Sequence, residues 1–112
     1  MSLSSSMAGQ TRIITVETDR IDAAMAIQFK EDMRNATEGA QDRVVLDISR
    51  VTFIDSSGLG AIVASMKQLG SGRRLDLAGP TPVVDKVFRL TRMDTVFNLF
   101  ASLDDALAAE QP

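Results

Sequence analysis

Four consecutive residues near the middle of the chain, Asp55-Ser56-Ser57-Gly58, combine a carboxylate with two adjacent hydroxyl groups. A serine hydroxyl acts either as a nucleophile, which needs a base beside it, or as the acceptor of a phosphate. The sequence contains no histidine, so a Ser-His-Asp triad is excluded, and no lysine stands three residues after either serine. A nucleophilic site is therefore the weaker functional interpretation of these hydroxyls, and a modification or docking site is the stronger one.

The flanking sequence predicts where this cluster lies. Residues 44–48 form an apolar run rich in β-branched side chains, which is typical of a strand buried on both faces. After the cluster, the apolar residues recur three and four positions apart, which predicts an amphipathic helix. These residues are Leu59, Ile62, Val63, Met66 and Leu69. The cluster is therefore predicted to lie at a helix N-terminus, where serine and aspartate are favoured caps.

Two interpretations of the cluster are open at this point. In the structural one, the residues cap the helix, which stabilises it by about 1 kcal/mol. In the functional one, the cluster holds more hydroxyls than one cap requires, and Ser57 accepts a phosphate. The free N–H groups and the dipole of the helix favour an anion at that place, so the effect of a phosphate would fall on a partner protein.

Two other kinds of site are weaker alternatives. Asp22, Asp47 and Asp55 would form a Mg²⁺ site if they met at one end of the sheet, although an aspartate at a helix start is more often a cap. Gly58-Leu59-Gly60 resembles the start of a dinucleotide-binding loop, but Val63 stands where the third glycine belongs. We therefore expect neither a metal nor a cofactor.

The composition narrows the class of protein. The 112 residues carry a net charge of −3 from 12 basic and 15 acidic side chains, which argues against nucleic-acid binding. The absence of cysteine excludes disulfides and thiol catalysis, and it fits a reducing cytoplasm. No apolar run approaches the length needed to cross a bilayer. We expect a cytoplasmic protein without membrane insertion.

The order of segments predicts the fold class. Residues 1–10 are serine-rich and lack periodicity, so they are predicted to be a flexible tail outside the fold. Beyond them, strand-like and helix-like segments alternate with short loops over 11–110, which predicts one α/β domain with a largely parallel sheet. One helix is predicted over 23–37 and the last strand over 95–100. The predicted cap of this helix is Asp22, and those of the third and the terminal helix are Thr81 and Ser102.

The segment VVLDISRVTFIDSSGLGAIVASMKQL, residues 44–69, closely resembles the signature segment of STAS domains, in particular those of bacterial anti-sigma factor antagonists. The resemblance extends from about Thr11 to about Ala109, nearly the whole chain. It implies a single α/β domain with a four- to five-stranded, mostly parallel or mixed sheet. About four helices would pack mainly on one face of that sheet.

For function, the resemblance implies a binding protein and not an enzyme. Unphosphorylated members of the family bind an anti-sigma factor, itself a serine kinase of the histidine-kinase-like ATPase fold, and so free a sigma factor. Phosphorylation by that kinase ends the binding, and a serine phosphatase restores it. The alternative within the family is a scaffold subunit of a larger signalling or transporter-associated complex, without a working switch. A small nucleotide-binding protein is a more remote alternative.

Carried over residue by residue, the resemblance places the phosphoacceptor at Ser57, with Ser56 as the second choice. The implied partner-binding residues are Asp22, Asp55, Ser56, Gly58 and Leu59. This chain departs from the family pattern at Asp19 and Arg20, where a glycine and a glutamate are usual, and this bears on the choice of partner. If the usual first strand is missing, the exposed sheet edge is open to pairing with a second copy, as a homodimer.

Overall fold

The computed structural model describes residues 3–40 and 42–109. Three strands precede the first helix and two precede the second, so the alternation predicted from the sequence holds only from the second helix onward, where one short 3₁₀ turn lies at Met93–Thr95. The strands are β1 Leu3–Ala8, β2 Thr11–Val16, β3 Arg20–Ile21, β4 Arg43–Asp47, β5 Phe53–Ile54, β6 Arg74–Ala78 and β7 Leu99–Phe100. The helices are α1 Ala26–Ala36, α2 Ser56–Leu69, α3 Pro82–Leu90 and α4 Leu103–Ala108.

The main sheet is five-stranded and mixed, in the order β1-β2-β4-β6-β7. β1 runs antiparallel to β2, whereas the β2–β4, β4–β6 and β6–β7 pairs are all parallel. β3 and β5 form a separate parallel pair beside the carboxyl ends of the central strands. The predicted fold class is confirmed.

The N-terminal segment is where the sequence prediction was wrong. Leu3–Ala8 is not a tail outside the fold, because it pairs along its whole length with β2, from Leu3 opposite Val16 to Ala8 opposite Thr11. Its serines show no hydrophobic alternation, so only the neighbouring strand reveals its conformation. Residues 1 and 2, like residue 110 at the predicted domain end, lie outside the described residues.

The sheet buries both of its faces. Alternate residues of β4 point to opposite sides: Val44 and Leu46 join the main core, whereas Val45 packs with a smaller cluster. The main core takes its helical side chains from α1, α2 and α3, and the smaller cluster takes Ala106 from α4. The described helices therefore lie mainly, but not entirely, on one face. No helix in the described part of the chain is both long and apolar enough to cross a membrane.

Two predicted element boundaries differ from the structure. α1 begins at Ala26 and not at residue 23, since a turn at 23–25 precedes it. The predicted strand over 95–100 is mostly a 3₁₀ turn and an irregular segment, and only Leu99–Phe100 pairs with β6. Phe97 accounts for the difference: it is buried against Phe88, with ring centroids 6.2 Å apart, and this packing competes with an extended backbone.

An ion pair is buried between the first residue of β4 and the middle residue of β6. Arg43 Nε donates to Asp76 Oδ2 at 2.8 Å, and the two side chains are only 6% and 1% exposed. Asp76 also accepts hydrogen bonds from Arg74 Nε at 3.1 Å and Asn98 Nδ2 at 3.2 Å. The guanidinium of Arg43 lies 5.6 Å from the ring centre of Phe100. Among the described residues, its two terminal nitrogens have no hydrogen-bond partner.

Candidate functional site

Asp55 organises the end of the sheet at which α2 begins. As the predicted N-cap of α2, it accepts the amide hydrogen of Gly58 on Oδ1 at 2.8 Å. Its other oxygen, Oδ2, accepts the amide hydrogen of Ala23 at 3.0 Å. One carboxylate therefore satisfies a free amide of the helix and ties the first turn of α2 to the loop that follows β3.

Gly58 lets α2 begin directly against β3. The residue is buried, and a Cβ atom added to it would lie 1.9 Å from the carbonyl oxygen of Ile21, far inside van der Waals contact. At Gly60, by contrast, an added Cβ would meet nothing within 4 Å. The glycine at 58 is thus explained by close packing of backbone on backbone, and it needs no bound phosphate to account for it.

Ser56 and Ser57 occupy the first turn of α2, and both are exposed. Within residues 3–40 and 42–109, neither hydroxyl takes part in a hydrogen bond, because Asp55 already provides the cap. The amides of both serines precede the first intrahelical bond, in which Leu59 N–H donates to Asp55 O at 2.9 Å. Exposed hydroxyls beside free amides and the positive end of a helix dipole make a favourable place for an anion.

Arg20, Asp22 and Phe53 form a second group at this end of the sheet, which we call the Arg20 group. Arg20 Nε donates to Asp22 Oδ2 at 2.8 Å, and the guanidinium stacks 4.6 Å from the ring centre of Phe53. Phe53 is 41% exposed, a large fraction for a phenylalanine. The hydrogen bond from Arg20 is the main cause that holds the pKa of Asp22 below its usual value. The pKa of Arg20 is raised for the same reason.

Pairing between β3 and β5 holds the two groups side by side. Arg20 stands opposite Phe53 in the parallel register, and Ile21 stands opposite Ile54. Just before the pair, the carbonyl oxygen of Asp19 accepts the amide hydrogens of Thr52 at 2.8 Å and Phe53 at 3.2 Å. Because both strands lead directly into the site, their pairing fixes the distance between the Arg20 group and α2.

The structure brings the residues expected from the sequence to one end of the sheet, but it gives them different environments. Ser56 and Ser57 are exposed, Leu59 is partly buried against the main core, and Gly58 is buried. The sequence predicted Asp22 as the cap of α1, and this prediction was wrong. The N-cap is Met25, and the main-chain carbonyl of Asp22 accepts the Met25 amide hydrogen at 3.1 Å.

The carboxylates considered for a metal site each have other partners. Asp22 binds Arg20, Asp55 binds two amides, and Asp47 Oδ1 accepts the amide hydrogen of Ser49 at 3.0 Å. In the part of the chain that the structure describes, no group of three or more His, Cys, Asp or Glu residues is arranged to hold a metal ion.

The sequence alone does not predict the Arg20 group as a unit. Arg20 is marked only by its departure from a family pattern, and Phe53 is one apolar residue among those between the apolar run at 44–48 and Asp55. The available signal was the alternation of charge in Asp19-Arg20-Ile21-Asp22. That signal becomes specific only when the β3–β5 register is known, since this register sets the guanidinium over the aromatic ring.

A family model described as the STAS domain matches residues 6–106. The anti-sigma-F factor antagonist RsfB of Mycobacterium tuberculosis is 28% identical over 87 residues, which cover 78% of this chain and 71% of RsfB. The crystal structure of an anti-sigma factor antagonist from Mycobacterium paratuberculosis superposes with a TM-score of 0.86 at 25% identity, covering 96% of this chain and 92% of the other.

The fold is also similar to that of the Bacillus cell fate determinant SpoIIAA, whose structure in the phosphorylated form has been solved. That comparison gives a TM-score of 0.69 at 23% identity and covers 98% of this chain and all of the other, 100%. At this level of identity the likeness concerns the fold alone.

Proposed function

The chain belongs to the STAS domain family, and from that premise we propose that it is an anti-sigma factor antagonist controlled by phosphorylation of Ser57. In this proposal the unphosphorylated protein binds, in the cytoplasm, an anti-sigma factor that is itself a serine kinase of the histidine-kinase-like ATPase fold. The binding frees a sigma factor. Phosphorylation by the kinase ends the binding, and a serine phosphatase restores it, so the catalytic steps belong to the partners.

The observation that carries the proposal is the state of Ser57. Its hydroxyl is exposed and, in the described residues, unbonded, because Asp55 alone caps the helix. A hydroxyl that the fold does not use is free to be modified without loss of a structural contact. Ser56 is exposed in the same turn and remains the second choice for the phosphoacceptor.

A phosphate on Ser57 would leave the fold intact and change the surface. The amides and the positive dipole end of α2 favour the anion, so the helix itself gains stability. The carboxylates of Asp22 and Asp55 lie at the same end of the sheet, so the phosphate adds to charge of the same sign. A partner fitted to the neutral serine would then meet a dianion, whose desolvation and repulsion weaken the binding.

The residues expected to bind the partner divide into two roles in this proposal. Ser56, Asp22 and the outer part of Leu59 present surface to the partner, since they are exposed or only partly buried. Asp55 and Gly58 act mainly by position, because one carboxylate is held by two amides and the glycine backbone lies against Ile21. Replacing either of these two residues would move the serines.

The proposal is tested by capture and calorimetry. Wild type, Ser57→Ala and Ser57→Asp are used as baits in lysate of the source bacterium, captured proteins are identified by mass spectrometry, and a captured kinase is then purified. We expect wild type and Ser57→Ala to bind that kinase. We expect Ser57→Asp to bind it at least about tenfold more weakly, a loss of about 1.4 kcal/mol. With ATP, the kinase should modify wild type but not Ser57→Ala.

Ser71→Asp is the matched control. Ser71 is exposed in the turn after α2, so this substitution adds the same charge at the opposite end of that helix. Its affinity should equal that of wild type. Thermal unfolding should show Ser57→Asp to be no less stable than wild type, since an acid in the first helical turn is favourable by about 0.3–1 kcal/mol. Equal kinase binding by Ser57→Asp and wild type would contradict the switch. A large assembly captured by all the baits would favour the scaffold alternative.

A further inference from the structure

We propose that Arg20 is the group that binds the phosphate in the phosphorylated protein, exchanging its bond to Asp22 for a bond to phosphoserine 57. This inference rests on the proposed function, since it takes Ser57 as the phosphoacceptor. It goes further by naming the cation that receives the phosphate and the carboxylate that is released. The consequence is a switch with two linked changes at one surface.

The backbone places Arg20 and Ser57 next to each other. The carbonyl oxygen of Ile21 lies against the backbone of Gly58, so closely that a Cβ atom there would approach it to 1.9 Å. Arg20 precedes Ile21 and Ser57 precedes Gly58, and consecutive Cα atoms are about 3.8 Å apart. One van der Waals contact and two such steps therefore join the two residues, a separation that the long arginine side chain can span.

The guanidinium points towards the carboxyl end of β3, and α2 begins beside that end. Its Nε donates forward along the chain to Asp22, and the ring of Phe53 supports its flat face at 4.6 Å. Only Nε is engaged in a hydrogen bond among the described residues, so both terminal nitrogens are free to donate. The side chain is 54% exposed, and its movement would break no buried contact.

The exchange follows from the charges that surround Arg20. The groups whose charges act on it are the carboxylates of Asp22, Asp19 and Asp55. A phosphoserine carries about −1.5 to −2 charges at pH 7 and three strong acceptor oxygens, against one negative charge on Asp22. Arginine also matches a phosphate with two parallel N–H donors, which is stronger than a single contact. The dianion therefore competes successfully for the guanidinium.

The exchange would change more of the surface than the phosphate alone. A partner that meets the unphosphorylated protein finds a guanidinium over an aromatic ring beside two exposed serines. After phosphorylation, the guanidinium is neutralised by the phosphate, and the carboxylate of Asp22 loses its partner. The same surface thus gains the charge of the phosphate and exposes the carboxylate of Asp22 without its partner in one step.

The test uses the protein with phosphoserine incorporated at position 57 during translation, so that it needs no partner kinase. The second ionisation of the phosphate is followed by phosphorus NMR as a function of pH in wild type, Arg20→Gln and Arg20→Lys. A cation in contact favours the dianion, so we expect the phosphate pKa to be lower in wild type than in Arg20→Gln by at least about 0.5 unit. Arg20→Lys should lie between them, because it keeps the charge and loses the fork.

Arg34→Gln is the matched control, since it removes the same charge in the last turn of α1, where Arg34 is paired with Glu31. Its phosphate should titrate as in wild type. As a second readout, the Arg20 Nε–H resonance should move on phosphorylation, whereas that of Arg34 should not. An unchanged amide spectrum away from the site will show that Arg20→Gln remains folded.

Equal phosphate pKa values in wild type, Arg20→Gln and Arg34→Gln would overturn the role of Arg20. That result would leave the proposed function standing, because the phosphate could still block the partner unaided. Conversely, a phosphoserine 57 protein that binds the kinase as tightly as the unmodified protein would refute the proposed function, whatever the NMR titration shows.

Discussion

At the scale of residues, two aspartates at the same end of the sheet have different structural roles. Asp55 turns inward and accepts two backbone amides, so it belongs to the framework of the site. Asp22 binds the exposed guanidinium of Arg20, so it belongs to the surface. The difference matters for any substitution, since loss of Asp55 disturbs the backbone and loss of Asp22 changes mainly the charge that a partner meets.

The Asp22–Arg20 bond predicts an altered carboxyl titration. Arg20, with smaller contributions from the amides of Ala24 and Met25, lowers the pKa of Asp22 in the folded protein. A lowered pKa means that the pairing is present above the ordinary aspartate pKa and is lost as the pH falls through the lowered value. A carbon NMR titration should give Asp22 a pKa below that of an ordinary aspartate, and the substitution Arg20→Gln should raise this pKa. If Arg34→Gln raised it equally, the direct bond would not be the cause.

Asp22 also shows where sequence reasoning stops at this scale. An aspartate before a helical segment is a favoured cap, and Asp55, Thr81 and Ser102 do accept the first-turn amides of their helices. Asp22 has the same local signature, yet its carboxylate binds Arg20 and α1 begins at Ala26. The competing donor, Arg20, lies only two residues before Asp22, and a cap motif considered alone does not show which of the two partners the carboxylate takes.

At the scale of elements, the contact between α2 and β3 fixes the candidate site. The backbone of α2 at Gly58 touches the backbone of β3 at Ile21, so both elements present their ends at a set distance. The apolar stripe of α2 and its aspartate cap were predictable because they depend on spacing within one segment. The contact itself was not, since it depends on the position of a two-residue strand.

Two glycines of α2 provide an internal comparison. Gly58→Ala would force a Cβ atom into the Ile21 carbonyl, and overpacking of this kind destabilises by about 1–3 kcal/mol or more. Gly60→Ala meets no neighbouring atom and should stabilise the helix by about 0.5–1 kcal/mol. Urea unfolding measures both free energies. Equal effects of the two substitutions would mean that the close approach at Gly58 is not a constraint.

β1 and the segment before β7 show the other limit of local patterns. β1 joins the sheet although its serines carry no alternation, because β2 offers a complete row of partners. Residues 95–97 have a strand-like composition but form no strand, since Phe97 is buried against Phe88. In both places the tertiary neighbour, and not the intrinsic preference, decides the conformation.

At the scale of the whole molecule, the candidate site and the interior of the sheet hold their charged groups differently. Arg20 lies at the surface of the candidate site, whereas Arg43 and Asp76 are both buried on the central strands β4 and β6. Asp76 gathers donors from β4, β6 and the segment before β7, so one carboxylate connects three parts of the sheet.

This pair predicts a non-additive double substitution. Asp76→Ala leaves the buried Arg43 charge without its carboxylate, which should cost about 3–5 kcal/mol. Replacing both residues together, as Arg43→Met with Asp76→Leu, removes the charge and should restore much of that loss. Urea unfolding of the single and double variants gives the coupling energy. A double variant no more stable than Asp76→Ala would argue against an uncompensated charge as the cause.

The absence of a gap between Gly58 and Ile21 limits how the backbone at the site can respond to modification. α2 cannot slide towards β3 on modification, because the two backbones are already in contact. Under the proposed switch, the backbone at Gly58 therefore stays in place, and the modified and unmodified molecules differ in their surface side chains and in charge. A binding protein that recognised the outline of the backbone would not distinguish them. A binding protein that recognises charge would distinguish the two forms, and the difference between its two affinities would decrease as added salt screens the surface charges.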